Sequence, residues 1–534
     1  GEPSADDTAL DTAATDAGSS ELLQVDIALS DADWGALTIQ GTRFLEHLTG
    51  PECLDAPFTK NYEWYPATVT LDGLTMGEIG VRKKGFLGSN SWTRPSLKLD
   101  ADRFVDGNRF DDGREHVTLN NMQQDPSRIR TCLAYAVFTR AGLPAPDCSF
   151  AEVRVQGQEV GVYADVQPVK KRYLTEHFGN DNGDLYEGTV SDFTDDYVVT
   201  FEPKTDETDA ALTPLYDLAD ALEASDDDLL EVLGGLVDID AFLTFWVVES
   251  LIGHWDGYSQ NRNNFYVYRS PDTGLMTFLP WGADAVFMSA ESDPVHTVGA
   301  LASRLWNHPV TRAAYLAEAQ RLLDEVWDEA WLLDEVNRMG ALVSPHVRDA
   351  GAFEVTQGVT RAFIADRRAV VQAMITSGGP ERPYAPEPKT CIEAFGSVEA
   401  AFDLTWTSLE DDPFDAPASL GLAINEDDIP FIATGSLAGT DGSSNLLLVT
   451  SLDPTASSLT YALIFLPPTI TPGTYDLDLS RVVGVMATLE FDSGATEPTP
   501  WGYIVGEVDF EAVGIGPNQQ IRGSLTGQVV PLLF

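Results

Sequence analysis

A change of sequence character near residue 380 divides the chain into a helix-rich part and a strand-rich part. Upstream, apolar residues recur at helical spacing between 310 and 374. Glycine and proline cluster at 377–388 and end that periodicity. Beyond them, short apolar runs such as 445–450 and 459–465 alternate with Asp, Gly and Pro at the spacing of a β-sandwich. The sequence therefore predicts an α+β domain at 23–380, a linker at 381–394 and an all-β, sandwich-like accessory domain at 395–534.

The first residues have a different composition from both predicted domains. Residues 1–20 include no aromatic side chain and one large aliphatic residue, so they cannot bury enough apolar area to fold. We expect a disordered tether at 1–22, similar to the segment that follows a cleaved signal or a lipoprotein's lipid-bearing cysteine. The sequence begins without a signal peptide, and no run of about 18 apolar residues predicts a membrane span. These features favour an exported or extracellular protein, with lipid anchoring at the cell surface as one form of it.

Charge limits the partners of the chain. It has 32 Lys and Arg against 84 Asp and Glu, a net charge of −52. Such a surface repels phosphate backbones, so we expect no nucleic-acid partner. Five of the scarce basic residues nevertheless fall in one short stretch and would attract phosphate: Arg82, Lys83, Lys84, Arg94 and Lys98. Lys98 lies in a predicted strand and can point into a cleft, although a lysine that protects an edge strand is the alternative.

The segment between His254 and Asp284 contains candidate catalytic residues. His254, Asp256 and Asn261 have the order H-x-D-x-x-x-x-N, and Asp284 follows after a predicted strand, a turn at 271–274 and a second strand. Phosphoryl transfer needs one carboxylate to orient the acceptor hydroxyl, and an amide and a second carboxylate to hold metal ions. The apolar stretch 237–252 is typical of a helix whose end delivers Asp256. A buried helix followed by a polar turn is the alternative interpretation.

Further blocks occur in one order along the chain. They are Val81–Gly85, Ser96–Leu99, Val117–Asn121, Asp125–Arg130, Leu143–Pro146, Val153–Tyr163 and Asn182–Tyr186. Together with the Asp256 and Asp284 segments, these blocks resemble the spore-coat CotH kinase family from about residue 25 to residue 380. The resemblance implies an atypical protein-kinase-like fold, with ATP and Mg²⁺ or Mn²⁺ as cofactors. Its acceptors would be Ser or Thr of proteins at the cell surface or in a coat.

The resemblance also implies roles for individual residues. Asp256 resembles the catalytic carboxylate and Asp284 the metal-binding acid. The family's paired asparagines correspond to Asn263 and Asn264, whereas general kinase spacing points to Asn261 as the metal-side amide. The basic blocks would place Lys98, Lys84 and Arg82 at the nucleotide.

Two positions depart from the family pattern. Gly282 stands where the family has the first acid of Pro-Trp-Asp-x-Asp, and Gln167 stands where it has a glutamate. A neutral amide cannot form the lysine–glutamate ion pair that kinases use. These departures leave two alternatives: a pseudokinase that serves as a surface binding or assembly module, and an ATP-using transferase that moves AMP or an amino acid onto protein. The sequence leaves the oligomeric state open.

Four cysteines allow three pairings. Cys132 and Cys148 would close a short loop, which makes them the preferred pair, with Cys53 and Cys391 remaining. Four buried free thiols are the alternative, and the spacing does not suit zinc. His296 and His308 lack partners at ligand spacing, so we expect core or surface histidines.

Overall fold

A closed seven-stranded barrel forms the amino-terminal lobe. The computed structural model describes residues 21–532 apart from positions 59, 61, 206–208, 456, 480, 481 and 496; the expected tether lies outside the described residues except for its last two positions. The strands are β1 (Leu23–Ala28), β2 (Tyr65–Leu71), β3 (Leu74–Lys84), β4 (Ser96–Asp100), β5 (His116–Asn120), β6 (Cys148–Val155) and β7 (Gln158–Val166). Their order is β1-β2-β3-β4-β5-β7-β6, and parallel pairing of β6 with β1 closes the barrel. Alternating apolar residues such as Val81, Leu97 and Leu99 fill its interior.

Helices accompany the barrel and build a second lobe around one large core. The helices α1 (Asp31–Thr38) and α2 (Phe44–Leu48) belong to the barrel lobe, whereas α3 (Arg130–Arg140) packs its buried side chains into the large core of the second lobe. The second lobe contains α4 (Lys171–Phe178), α5 (Thr213–Leu222), α6 (Leu229–Gly234), α7 (Ile239–Ile252), α8 (Tyr258–Asn261), α9 (Ala300–Asn307), α10 (Pro309–Glu325), α11 (Glu329–Val343) and α12 (Ala350–Ser377). It also holds a small sheet of order β11-β10-β8-β9, from β8 (Asp184–Gly188), β9 (Glu202–Pro203), β10 (Phe265–Arg269) and β11 (Met276–Pro280).

The local secondary-structure predictions around Asp256 are confirmed. The apolar helix before Asp256 is α7, which is mostly buried after its first turn and ends at Gly253 in the left-handed conformation (φ +65°). The two expected strands are the antiparallel pair β10 and β11. His296 and His308 are both buried.

The described residues after the linker form strands and two short 3₁₀ helices. The strands are β12 (Gly396–Thr405), β13 (Ala418–Ile424), β14 (Asp427–Asp428), β15 (Ala433–Thr440), β16 (Asn445–Leu452), β17 (Ser458–Leu466), β18 (Gly473–Leu477), β19 (Val483–Glu490), β20 (Thr499–Ala512) and β21 (Gln520–Pro531). They belong to one continuous hydrogen-bonded sheet, in which β18 pairs with β20 beside the main path. A bridge between Pro417 and Gly435 brings the two ends of that path together around a single core. We predicted a sandwich-like arrangement, and the strands instead follow one curled sheet. The domain bounds themselves stay a prediction.

The four cysteines form two disulfide bonds. Cys132 pairs with Cys148, as expected, and Cys53 pairs with Cys391. The first joins α3 to the start of β6. The second connects the barrel lobe to the linker. Of the helices in the described part of the chain, none is both long enough and apolar enough to cross a bilayer.

Candidate functional site

The loop that carries Asp256 is held by a buried glutamate of α7. Glu249 is fully buried, and its carboxylate oxygens accept the backbone N–H groups of Tyr258 (3.0 Å) and Ser259 (2.9 Å). These groups begin α8, so Glu249 caps this short helix from the preceding one. A Cβ atom at Gly257 would lie 2.1 Å from Glu249 Oε1, which explains the glycine at that position. The chain between α7 and α8 is thereby fixed with Asp256 at its centre.

Three asparagines converge on the Asp256 carboxylate. Asn261 Nδ2 donates to Oδ1 over 2.6 Å, and Asn263 Nδ2 donates to the same oxygen over 3.1 Å. Asn264 Nδ2 donates to Oδ2 over 2.7 Å and to the main-chain carbonyl of Asp256 over 3.0 Å. We call Asn261, Asn263 and Asn264 the asparagine cluster. Asn261, indicated by the general kinase spacing, and the family's pair Asn263 and Asn264 thus all bind the same carboxylate. These bonds use the amide nitrogens and leave out the amide carbonyl oxygens of the three asparagines.

The ionisation of Asp284 is influenced by the charge of Asp256. The pKa of Asp284 is raised to about 6, chiefly by burial and then by the carboxylates of Asp256 and Asp125, while His254 acts in the opposite direction. Asp125 is itself buried and accepts the N–H groups of Ser127 (2.9 Å) and Arg130 (2.8 Å) at the start of α3. Carboxylates from two other segments therefore act electrostatically on Asp284. Such a concentration of negative charge favours a proton or a cation.

Gly282 lies against the asparagine cluster. Its φ is +53°, and an added Cβ would lie 2.4 Å from Asn264 Oδ1. An aspartate at position 282 would require Asn264 to move. Where the family has the first acid of its motif, this chain therefore has a glycine that packs closely against the Asn264 amide.

The three basic residues predicted at the nucleotide share one face of the barrel. Arg82 lies opposite Lys98 in the β3–β4 pairing, and Lys84 follows two residues after Arg82. Lys84 donates to Asn120 Oδ1, and its ammonium lies 5.6 Å from the centre of the Trp281 ring. Burial lowers the pKa of Lys84 to about 8, although Glu187 and Asp284 oppose this shift. Lys84 therefore links the basic face to the carboxylate region.

Glu187 of β8 is the acidic partner of this basic face. It lies 2.6 Å from Lys60 Nζ and 3.1 Å from Lys204 Nζ. Burial alone would raise the pKa of Glu187, but Lys60, Lys204 and Lys98 hold it well below its usual range. Burial also lowers the pKa of Lys98, with Glu187 acting against it. The lysines and this carboxylate form a charge network between the two lobes.

The hydrogen bonds of Gln167 go to acidic residues and not to a lysine of the basic face. Its Nε2 donates to Glu176 over 2.5 Å, and its backbone N–H donates to Asp147 over 2.8 Å. The carboxylate that faces the lysines is Glu187 instead. Glu187 directly follows the Asn182–Tyr186 block, but nothing local identified its partners, since Lys60 and Lys204 come from separate segments.

A cleft of about 1540 Å³ opens beside the charge network. Lys98, Lys204, Tyr266 and Trp281 are among its lining residues, and Gln167 lies at its wall. The ring of Trp281 packs edge-on against Tyr266, with 5.5 Å between the ring centres, and the Lys84 ammonium lies 5.6 Å from the Trp281 ring centre. Trp281 therefore lies between the cleft and Lys84, whereas Asp256 and Asp284 are not among the residues that line the cleft.

A further acidic group borders the same cleft. In the described part of the chain, Asp100, Glu115 and His116 have ligand atoms within 4.8 Å of one another. Lys170 Nζ lies 2.8 Å from His116 Nε2, and Arg109 lies 2.8 Å from Glu115. Lys170 and Arg109 thus already lie beside the side chains of this group.

Comparison with known proteins identifies the family. A sequence profile described as CotH kinase protein matches residues 81–362, more than half of the chain. Invasin CotH7 of Rhizopus delemar is 24% identical over 261 residues, which are 44% of this chain and 44% of the invasin. Inner spore coat protein H of Bacillus subtilis is 23% identical over 261 residues, which are 44% of this chain and 69% of that protein. The chain thus matches less than half the length of the invasin.

A solved structure also matches in part. The crystal structure of a Helicobacter pylori proinflammatory kinase, CtkA, is 9% identical and covers 53% of this chain and 94% of the kinase, with a TM-score of 0.27. A superposition this weak carries no argument. The profile match, together with the order of blocks around Asp256 and Asp284, decides the assignment: the chain belongs to the CotH kinase protein family.

Proposed function

We propose that the chain is an exported atypical protein kinase that transfers phosphate from ATP to Ser or Thr of extracellular or coat proteins. The observation that carries this proposal is the convergence of the asparagine cluster on Asp256 beside Asp284. Membership of the CotH kinase protein family supports the same reaction class. Its relatives include an inner spore coat protein and invasins, which supports a role at a surface or coat.

The residues present fit a divalent cation. Carboxylates of Asp256 and Asp284 and the carbonyl oxygens of the asparagine cluster are hard oxygen donors, which Mg²⁺ and Mn²⁺ prefer. Burial and, after it, the charges of Asp256 and Asp125 raise the pKa of Asp284, so its ionised form is costly without a cation. A bound cation would supply that neutralisation and bridge to the phosphates. Asp284 and an asparagine amide would hold it.

The remaining side chains have roles that follow from their contacts. Asp256, oriented by three amide donors, would accept the hydrogen bond of the acceptor hydroxyl and take its proton. Lys84, Lys98 and Arg82 on the barrel face would bind phosphate oxygens. Glu187 would orient Lys98 from the opposite lobe.

Replacement of Asp256 tests the proposal. We expect wild-type protein with Mn²⁺ or Mg²⁺ and labelled ATP to label itself or an added acceptor protein. Asp256→Asn should reduce the rate by about 10²–10⁴-fold because the proton acceptor is lost. Asp240→Asn, at an exposed position in the first turn of α7, is the matched control. The mass of the product separates phosphate from AMP or an amino acid, and a wild type that transfers nothing with either metal contradicts the proposal.

A second candidate function is a pseudokinase that acts as a surface binding or assembly module. The packing of Gly282 against Asn264 favours it, because this chain has no carboxylate at the first acidic position of the motif. Calorimetry with ATP and Mn²⁺ separates the candidates. Nucleotide affinity that depends on metal favours the kinase, and its absence favours the module.

A further inference from the structure

The linker at 381–394 contacts both lobes along its length. Glu381 pairs with Arg312, and Arg382 pairs with Asp293. Further on, the backbone N–H of Lys389 donates to Asp196 over 3.2 Å. The segment has no helix or strand of its own in the described residues apart from one bridge. Side-chain contacts, rather than regular structure, therefore fix its path across the helical lobe.

One of these contacts reaches the catalytic loop. Arg262 lies between Asn261 and Asn263, in the left-handed conformation (φ +55°). Its guanidinium lies 3.1 Å from Glu387 of the linker and 4.5 Å from the centre of the Tyr197 ring. Its side chain is 13% exposed, whereas that of Glu387 is 60% exposed. Arg262 is thus a mostly buried link between the linker and the asparagine cluster.

The far end of the linker is anchored in the barrel lobe. Cys391 is bonded to Cys53, and Ile392 exchanges backbone hydrogen bonds with Leu48 (2.7 Å) and Gly50 (3.2 Å). Lys389 also pairs with Asp55. An ion pair with one exposed partner, such as Arg262–Glu387, contributes little alone, so a covalent anchor helps the linker to hold its position.

The anchor shares an apolar cluster with both parts of the site. Cys53 and Cys391 belong to the cluster that contains Tyr197, the ring beneath Arg262. Phe86 belongs to it too, packed against Phe44 at 5.1 Å and two residues after Lys84. Leu479, Tyr503 and Val505 of the strand-rich part complete it. The Lys84 strand, the catalytic loop and the linker thus meet at one place.

We propose that the linker is a tie that fixes the Asp256 loop, with Arg262 as its positioning residue and the Cys53–Cys391 bond as its anchor. The tie holds the asparagine amides around Asp256. Because the strand-rich part shares the apolar cluster at Cys53, it helps to anchor the catalytic loop. The link to catalysis rests on the proposed function, whereas the ordering of the loop does not.

Hydrogen exchange of the full-length chain tests the tie. We expect Arg262→Ala and the double variant Cys53→Ser/Cys391→Ser to raise amide exchange at 256–264 about tenfold. Two matched controls should leave that segment unchanged. Cys132→Ser/Cys148→Ser removes the other disulfide, and Arg312→Ala removes an arginine that also contacts a linker glutamate and an aromatic ring, Trp306, but lies on α10.

Each outcome decides the proposal. Unchanged exchange at 256–264 in the tie variants, or an equal rise in the controls, overturns it. If an alanine or serine variant does not fold, Glu387→Gln against Glu381→Gln decides with the same measurement, and about a twofold rise in the first alone is expected. Equal exchange in that pair also overturns the tie. Metal-dependent ATP binding is measured in parallel: a wild type without it removes the proposed function, while the exchange difference still decides the tie.

Discussion

At the scale of single residues, the carboxylate of Asp284 has the clearest physical consequence. Its pKa is raised from 3.8 to about 6 by burial and by the charges of Asp256 and Asp125. Between about pH 4 and pH 6 the folded protein therefore keeps a proton that the unfolded chain has lost. Because the folded state binds more protons in this window, its stability falls as the pH rises through it. Above pH 6 the cost is fully present unless a cation neutralises the group.

We expect Asp284→Asn to raise the free energy of unfolding by about 1–3 kcal/mol at pH 8 and to change it little at pH 4. Urea unfolding of wild type and variant at both pH values measures this difference. Added Mn²⁺ should stabilise the wild type at pH 8 more than at pH 5, and the variant at neither. An equal gain at pH 4 and pH 8 would show that packing, rather than charge, is responsible.

At the scale of elements, the junction of α7 and α8 depends on one buried side chain. Glu249 accepts the first N–H groups of α8 with two separate oxygens. The short helix has no cap from its own preceding residue, Gly257. The geometry of the Asp256 loop therefore depends on a residue that contacts neither Asp256 nor the asparagine cluster directly.

Replacing that glutamate should be costly. Glu249→Ala leaves two buried N–H groups without partners, and we expect a loss of about 2–4 kcal/mol in the free energy of unfolding. Glu249→Gln keeps one acceptor oxygen and should lose about half as much. Glu335→Ala on α11 removes a surface ion pair with Arg338 and should cost less than about 0.5 kcal/mol. Denaturant unfolding compares the three variants, and equal losses for Glu249 and Glu335 would contradict this role.

The elements that the sequence predicted well are those with a local signal. The helix α7 and the β10–β11 pair followed from apolar periodicity and a turn motif within one segment. The closure of the barrel had no such signal, because β1 pairs with β6 across more than a hundred residues. Glu187 was missed for the same reason. Asp256 and Asp284 were found because their spacing follows the chemistry of phosphoryl transfer, and their roles stay predictions.

At the scale of the whole molecule, the strand-rich part contacts the barrel lobe directly. Asp478, which is buried, accepts the backbone N–H of Leu45 over 2.6 Å, and Asp476 pairs with Arg43 at 3.1 Å. These bonds accompany the apolar cluster around Cys53. The accessory part is therefore packed against the lobe that carries the basic face, and its folding and that of the barrel lobe support each other.

The Cys53–Cys391 bond spans 338 positions of sequence and encloses most of both lobes in a covalent ring. A protease that cuts the chain once anywhere inside this ring yields two pieces that stay joined through sulfur. On a denaturing gel without reductant such a nicked molecule should migrate near the intact chain, and dithiothreitol should release the fragments. The double serine variant should fall into fragments without reductant. A single cut in an exposed loop of the ring would thus leave the two pieces covalently joined.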